Sequence, residues 1–251
     1  MTSTSSVLDR LGAAYPSRRV LLGSLSKDSN DPAVTSHTYD EMWVDWELIE
    51  DLCGGRDQMI FRAQRWLPQE PEEEDAAYGV RLNRSFLLEA FSDTLDKLSS
   101  KPFSREVKSI RPEKLPERLR EIHGDVDKQG TSMSTFAKWM LYDGLKYGHA
   151  LVFVDYPSVP PDLTLADELA ADVRPYWVLI SPPNLLGWTS EIRGGKEIVT
   201  SIRFKEERTV KNGKYGDKRI TVLRHVTAPV GDSPGTIQTF TQREDSGKYA
   251  E

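Results

Sequence analysis

A single cysteine, Cys53, occurs in the 251 residues. One thiol excludes an intrachain disulfide and any multi-cysteine zinc site. Histidine is almost as scarce: His37, His123, His149 and His225 stand without ligand spacing, so neither metal nor cofactor is expected. No stretch approaches the roughly 20 apolar residues of a membrane span. The start, Met1-Thr-Ser-Thr-Ser-Ser, has neither the basic residues nor the apolar core of a secretion signal. No Gly-rich loop closes on Gly-Lys-Ser/Thr, because Gly194-Gly195-Lys196 runs into Glu197; a P-loop motor is disfavoured. His-Glu-x-x-His and Gly-x-Ser-x-Gly are absent too. Apolar residues make up only 38% against 29% charged, so part of the chain is expected to need a partner or stay loose. The net charge of −6 argues against DNA binding over the whole surface.

What is present divides near Gly148. Residues 1–38 are rich in Ser, Thr, Asp and Pro and read as an irregular arm. Tyr39 to Leu52 keeps Met42, Trp46, Ile49 and Leu52 on one helical face, and Gly54-Gly55 breaks it. A second helix is expected over Asp57 to Trp66, ending before Pro68. Gln69 to Asp75 carries five acids in seven residues and reads as a solvated loop. Tyr78 to Ser100 is expected to be one long helix with Leu87, Phe91, Leu95 and Leu98 as a buried stripe. A short helix is expected over Leu115 to Ile122. Another runs from Ser134 to Tyr147, ended by Gly148 in the left-handed conformation. Ala150 to Asp155 is a continuous apolar run, which predicts a strand covered on both faces with Leu151, Val152 and Val154 in the core. Asp162 to Val173 reads as a helix and Pro175 to Ile180 as a strand. Ile198–Phe204 and Arg219–Val226 alternate about a turn at Lys211-Asn-Gly213. Thr236 to Thr241 begins a further strand, and Gly247 to Glu251 reads as the middle of a sheet. The fold class is α+β, a helical N-terminal half followed by a mostly antiparallel β region. The segments expected are 1–38 as arm, 39–190 as helical and mixed core, and 191–251 as β-rich.

Candidate chemistry is sparse. Asp155, at the end of a buried strand, is where enzymes often place a carboxylate, but a strand-end cap is the simpler reading. His149 is a candidate base, yet its place after a helix end suits a dipole contact. Cys53 reads as a small buried apolar residue. Core packing accounts for the six tryptophans better than base stacking does. Charge is segregated: residues 39–80 hold twelve acids and three bases, and 193–224 hold ten bases and four acids. Such blocks suit head-to-tail contact between identical subunits, or two independently solvated surfaces.

The order of motifs resembles that of tailed-phage portal proteins, over about residues 43 to 205. The matching pieces are Trp46-Glu-Leu-Ile-Glu-Asp51-Leu-Cys-Gly54, Tyr78-Gly-Val-Arg81-Leu-Asn-Arg84, Asp125-Val-Asp127-Lys-Gln-Gly130 and Gly144-Leu-Lys-Tyr147-Gly148. Leu151 to Asp155-Tyr-Pro157, Arg174-Pro175-Tyr176 and Ser181-Pro-Pro-Asn184 complete them. The resemblance implies a wing-like α+β part of a subunit in a dodecameric homo-oligomer ring, resident in the virion at one capsid vertex. The ring conducts double-stranded DNA and docks the terminase, then the head-tail connector. It implies structural roles: Gly148 releases a helix into a strand, Gly130 ends the approach to the next helix, and Arg81 and Arg84 pair with the preceding acids. No catalytic residue, cofactor or membrane contact is implied. Portal proteins are about twice as long, so the chain is expected to stop before the stem, clip and crown. Arg203, Lys205 and Arg208 are the expected subunit contacts. Two other readings compete: a regulatory nucleic-acid-binding protein using basic segments 101–120 and 193–224, and a small hydrolase around Asp155 and His149.

Overall fold

The computed structural model describes residues 29–108, 111–116, 120, 122–157, 159–160, 162, 164–229, 233–242 and 249–250. Residues 1–28 of the expected arm, and part of the helix expected over Leu115 to Ile122, lie outside them. The fold is α+β. Two units form: Met1–Glu89 with Pro183–Glu251, and Ala90–Pro182 between them in sequence. This division does not follow the expected segments 39–190 and 191–251, because the second unit is an insertion between two segments that belong to one unit.

In the first unit, α1 (His37–Cys53) starts where the Ser36 hydroxyl accepts the Tyr39 amide at 3.2 Å. Its inward residues Tyr39, Trp46 and Asp51 are buried. The Tyr39 hydroxyl donates to the Pro183 carbonyl at 2.9 Å. Burial, with the Asp40 charge second, pushes this phenol up to about 12. The expected second helix is interrupted: α2 (Gly55–Phe61) and α3 (Ala63–Trp66) meet at Arg62, whose φ of −104° and ψ of 28° leave the helical region. Arg62 there pairs with Glu47 and Asp51.

The long helix expected from Tyr78 to Ser100 is two helices, α4 (Asp75–Arg84) and α5 (Ala90–Ser100). Arg56 explains the break. Its guanidinium donates to the Ser85 and Asn83 carbonyls at 3.0 Å each, the acceptors a continuing helix would need for residues 89 and 87. The expected stripe is lost with it. Leu95 is buried, but Leu98 is 51% exposed and Leu87 lies in the break.

The sheet of this unit has the order β3-β4-β5-β6-β7, antiparallel throughout: β3 (Leu185–Arg193), β4 (Lys196–Asn212), β5 (Gly216–Thr227), β6 (Thr236–Gln242) and β7 (Tyr249–Ala250). Gly194 and Gly195, both at positive φ, make the two-residue turn joining β3 to β4. Phe204 and Leu223 are wholly buried and Val222 nearly so. Of the segment expected over Gly247 to Glu251 only Tyr249 and Ala250 are described, and they form β7, the outermost of the described strands.

The second unit holds α5, α6 (Met133–Tyr147), β1 (Leu151–Asp155), α7 (Leu165–Ala170) and β2 (Tyr176–Ile180). Ser132 caps α6, and Gly148 ends it at φ 88°. Thr164 and Asp167 form a capping box on α7. β1 and β2 are an isolated antiparallel pair, with Val152 opposite Leu179 and Val154 opposite Trp177. The expectation of a strand covered on both faces is therefore corrected. Val152, Leu179 and Trp177 pack on the cluster Ile122, Val126 and Phe136. Val154, one residue before the strand end, is 58% exposed, and Leu151 is half-buried.

Candidate interaction surface

The motif residues turn out to brace the fold. Asp51 is 1% exposed and accepts from Trp66 Nε1 at 2.7 Å and Gln58 Nε2 at 3.0 Å, with Arg62 Nε at 3.3 Å. Gly54 is required by closeness: a Cβ there would lie 2.6 Å from that of Gln58. Buried Tyr78 donates to the Leu67 carbonyl at 3.0 Å. Arg81 grips Glu73 through two nitrogens, at 2.8 and 2.6 Å, and also holds the Pro68 carbonyl. That bidentate bond holds the Glu73 carboxyl below its usual range. Arg81 thus pairs with a preceding acid, as its position suggested.

In the second unit, Gly130 sits at φ 88°, closing a loop in which Asp125 accepts its amide and Asp127 accepts those of Gln129 and Thr131. Arg174, just before Pro175 and β2, ties Asp125 to Asp172 at 2.8 and 3.2 Å. Gly144 lies within α6 with open space at its Cβ position. Asp155 is buried at the end of β1 and accepts from the Tyr176 hydroxyl and the Tyr156 amide at 2.8 and 2.9 Å, two residues before Pro157. His149 lies before the other end of β1, whose five residues alone span about 13 Å. The strand holds the two apart, so they do not form an acid–base pair. Burial lowers the His149 pKa below its ordinary value. Among the described residues, no group of three or more His, Cys, Asp or Glu is placed to hold a metal. Cys53 is half-buried.

The three expected subunit contacts have different fates. Arg203 is half-buried and donates to the Pro32 carbonyl at 3.0 Å. Desolvation lowers its pKa, with Asp31 opposing. It fastens the segment before α1 to the sheet. Gly187 permits that approach, since a Cβ there would fall 3.0 Å from Ser36 Cβ. Lys205 is half-buried opposite Leu223. Arg208 is exposed and 3.3 Å from Glu206, which Arg224 also approaches at 3.4 Å.

Two surface features of this sheet were not legible residue by residue. First, β4 and β5 outrun their neighbours. Among the described residues, the pairs from Glu207↔Thr221 to Asn212↔Gly216 have no third strand beside them. Six pairs make a two-stranded arm about 20 Å long, tipped by Tyr215 at 90% exposure. Second, Trp188, Ile202, Val226 and Ile237 are successive cross-strand partners. Partners share a face, so they form one apolar row over four strands, with Trp188 41% and Ile237 53% exposed. Core packing does not account for all the tryptophans: Trp46 is buried, but Trp43, Trp139 and Trp188 are at least 40% exposed. Within basic segment 101–120, Arg120 turns back onto the carbonyls of Leu115 and Glu113.

No protein-family model matches the chain, and no curated protein matches it. No described helix is long and apolar enough to cross a membrane.

Proposed function

We propose that the chain is a structural subunit of a phage portal ring, contributing the outer, wing-like part of a DNA conduit. The observation that carries the assembly reading is the apolar row Trp188–Ile202–Val226–Ile237, whose two ends, an aromatic and an aliphatic side chain, are exposed while its middle is half-buried. Contiguous apolar surface of this kind marks protein contact. The portal reading rests on the motif order and on the bracing roles of its residues. Asp51, Gly54, Tyr78, Arg81 and Gly148 each hold a helix end, a turn or a helix-to-strand exit in place. The proposed partners are further copies of the chain, capsid, terminase and head-tail connector proteins, with DNA passing unspecifically. Electron microscopy of the purified product of the complete reading frame tests the reading: closed rings with an axial channel support it, and dispersed single copies contradict it.

A further inference from the structure

Resting on the ring-subunit reading, we infer that the β4–β5 arm of one copy docks on the acidic loop Gln69–Asp75 of a second copy. The arm is the basic extreme of an acidic chain. The arm, residues 207–221, carries Arg208, Lys211, Lys214, Lys218 and Arg219 against the two acids Glu207 and Asp217. The loop is its opposite, five acids and no base. Both surfaces are presented. Lys211, Lys214 and Tyr215 are exposed at the arm's tip, and Glu70, Glu72, Glu74 and Asp75 are exposed on the loop. Glu73 alone is drawn inward, by Arg81.

The loop is also preformed. Gln69 Nε2 donates to the Glu73 carbonyl at 2.8 Å and to Asp75 Oδ1 at 2.9 Å, which fixes the chain that carries the charges. Less ordering is then required on binding. Three ion pairs are local to these segments: Arg219 with Glu207 across the arm at 3.7 Å, Arg208 with Glu206 at the arm's base, and Arg81 with Glu73 at the loop. Each segment therefore keeps its own sign. Arm and loop are unlike surfaces, so the contact is head-to-tail and repeats from copy to copy, the geometry that closes a ring. A net charge of −6 disfavours the competing polyanion, DNA, as the arm's ligand.

The test is a charge swap in the product of the complete reading frame, read by sedimentation velocity at low ionic strength. K211E with K214E, and separately E70K with E72K, should each weaken copy–copy association on the order of tenfold. The four substitutions together should restore it. Association that stays as weak in the four-fold variant as in either pair overturns the inference. So does K211E with K214E leaving association intact while abolishing binding of a duplex oligonucleotide, measured by fluorescence anisotropy. Rescue without closed rings upholds the contact and removes the portal reading; rings without rescue do the reverse.

Discussion

Alanine at Gly148 and alanine at Gly144 should move stability in opposite directions, although the two positions lie only four residues apart, one just past the end of α6 and one inside it. Gly148 is the residue after α6, at φ 88° and ψ −14°. An L-residue placed in this left-handed region costs roughly 1–2 kcal/mol. The narrower unfolded ensemble of alanine returns about 0.4–1 kcal/mol. No atom lies within 4 Å of a Cβ built at Gly148, so the backbone term acts without a clash, and the net loss is about 1 kcal/mol. Gly144 lies inside α6 and also has nothing within 4 Å of its Cβ position. Alanine there gains helix propensity, roughly 0.8–1 kcal/mol. The two variants should therefore differ by about 2 kcal/mol in urea unfolding followed by circular dichroism. Gly148→Asn should lose less than Gly148→Ala, because asparagine tolerates the left-handed region. Shifts of the same sign for the two alanines, or no loss at Gly148, would refute the reasoning that this glycine releases α6 into β1.

Three further outcomes follow from the braces. Asp51→Ala strands the Trp66 indole N–H and the Gln58 amide and removes one of the two acidic partners of Arg62; a loss of about 3 kcal/mol is expected in chemical denaturation. Arg81→Ala should let the Glu73 carboxyl rise toward its ordinary pKa, because the Arg81 hydrogen bond is the chief cause of its depression; carboxyl titration by NMR reads this directly. His149 has a folded pKa below its ordinary 6.5, by burial. Above that value neither state carries the proton. As pH falls through it the unfolded chain protonates first, so stability drops until the folded state takes up the proton as well. His149→Gln should lessen the loss of stability between neutral and mildly acidic pH, seen by comparing urea midpoints of the two proteins.

Local signals were readable where one residue decides the outcome. Gly148 ends α6, and the strands expected over Pro175–Ile180, Ile198–Phe204 and Arg219–Val226 form, because each depends on near neighbours in the chain. The break at Ser85 was not readable, since it depends on Arg56, twenty-nine residues earlier, taking the helix carbonyls. β3 escaped for a related reason. Leu185-Leu-Gly-Trp-Thr-Ser-Glu-Ile-Arg193 does not alternate, and register shifts at Leu185/Gly187 and Thr189/Ser190 absorb the irregularity. The fate of Arg203 was hidden likewise, because only the fold brings Pro32 beside it. The apolar row needs four strands in register before it exists at all, so no single strand announces it.

Native mass spectrometry of the product of the complete reading frame tests the central claim most directly, because it counts copies. The portal account predicts one dominant species of fixed, closed copy number that lasts on dilution. A spectrum of single copies, or of open-ended oligomers whose size follows concentration, would contradict it.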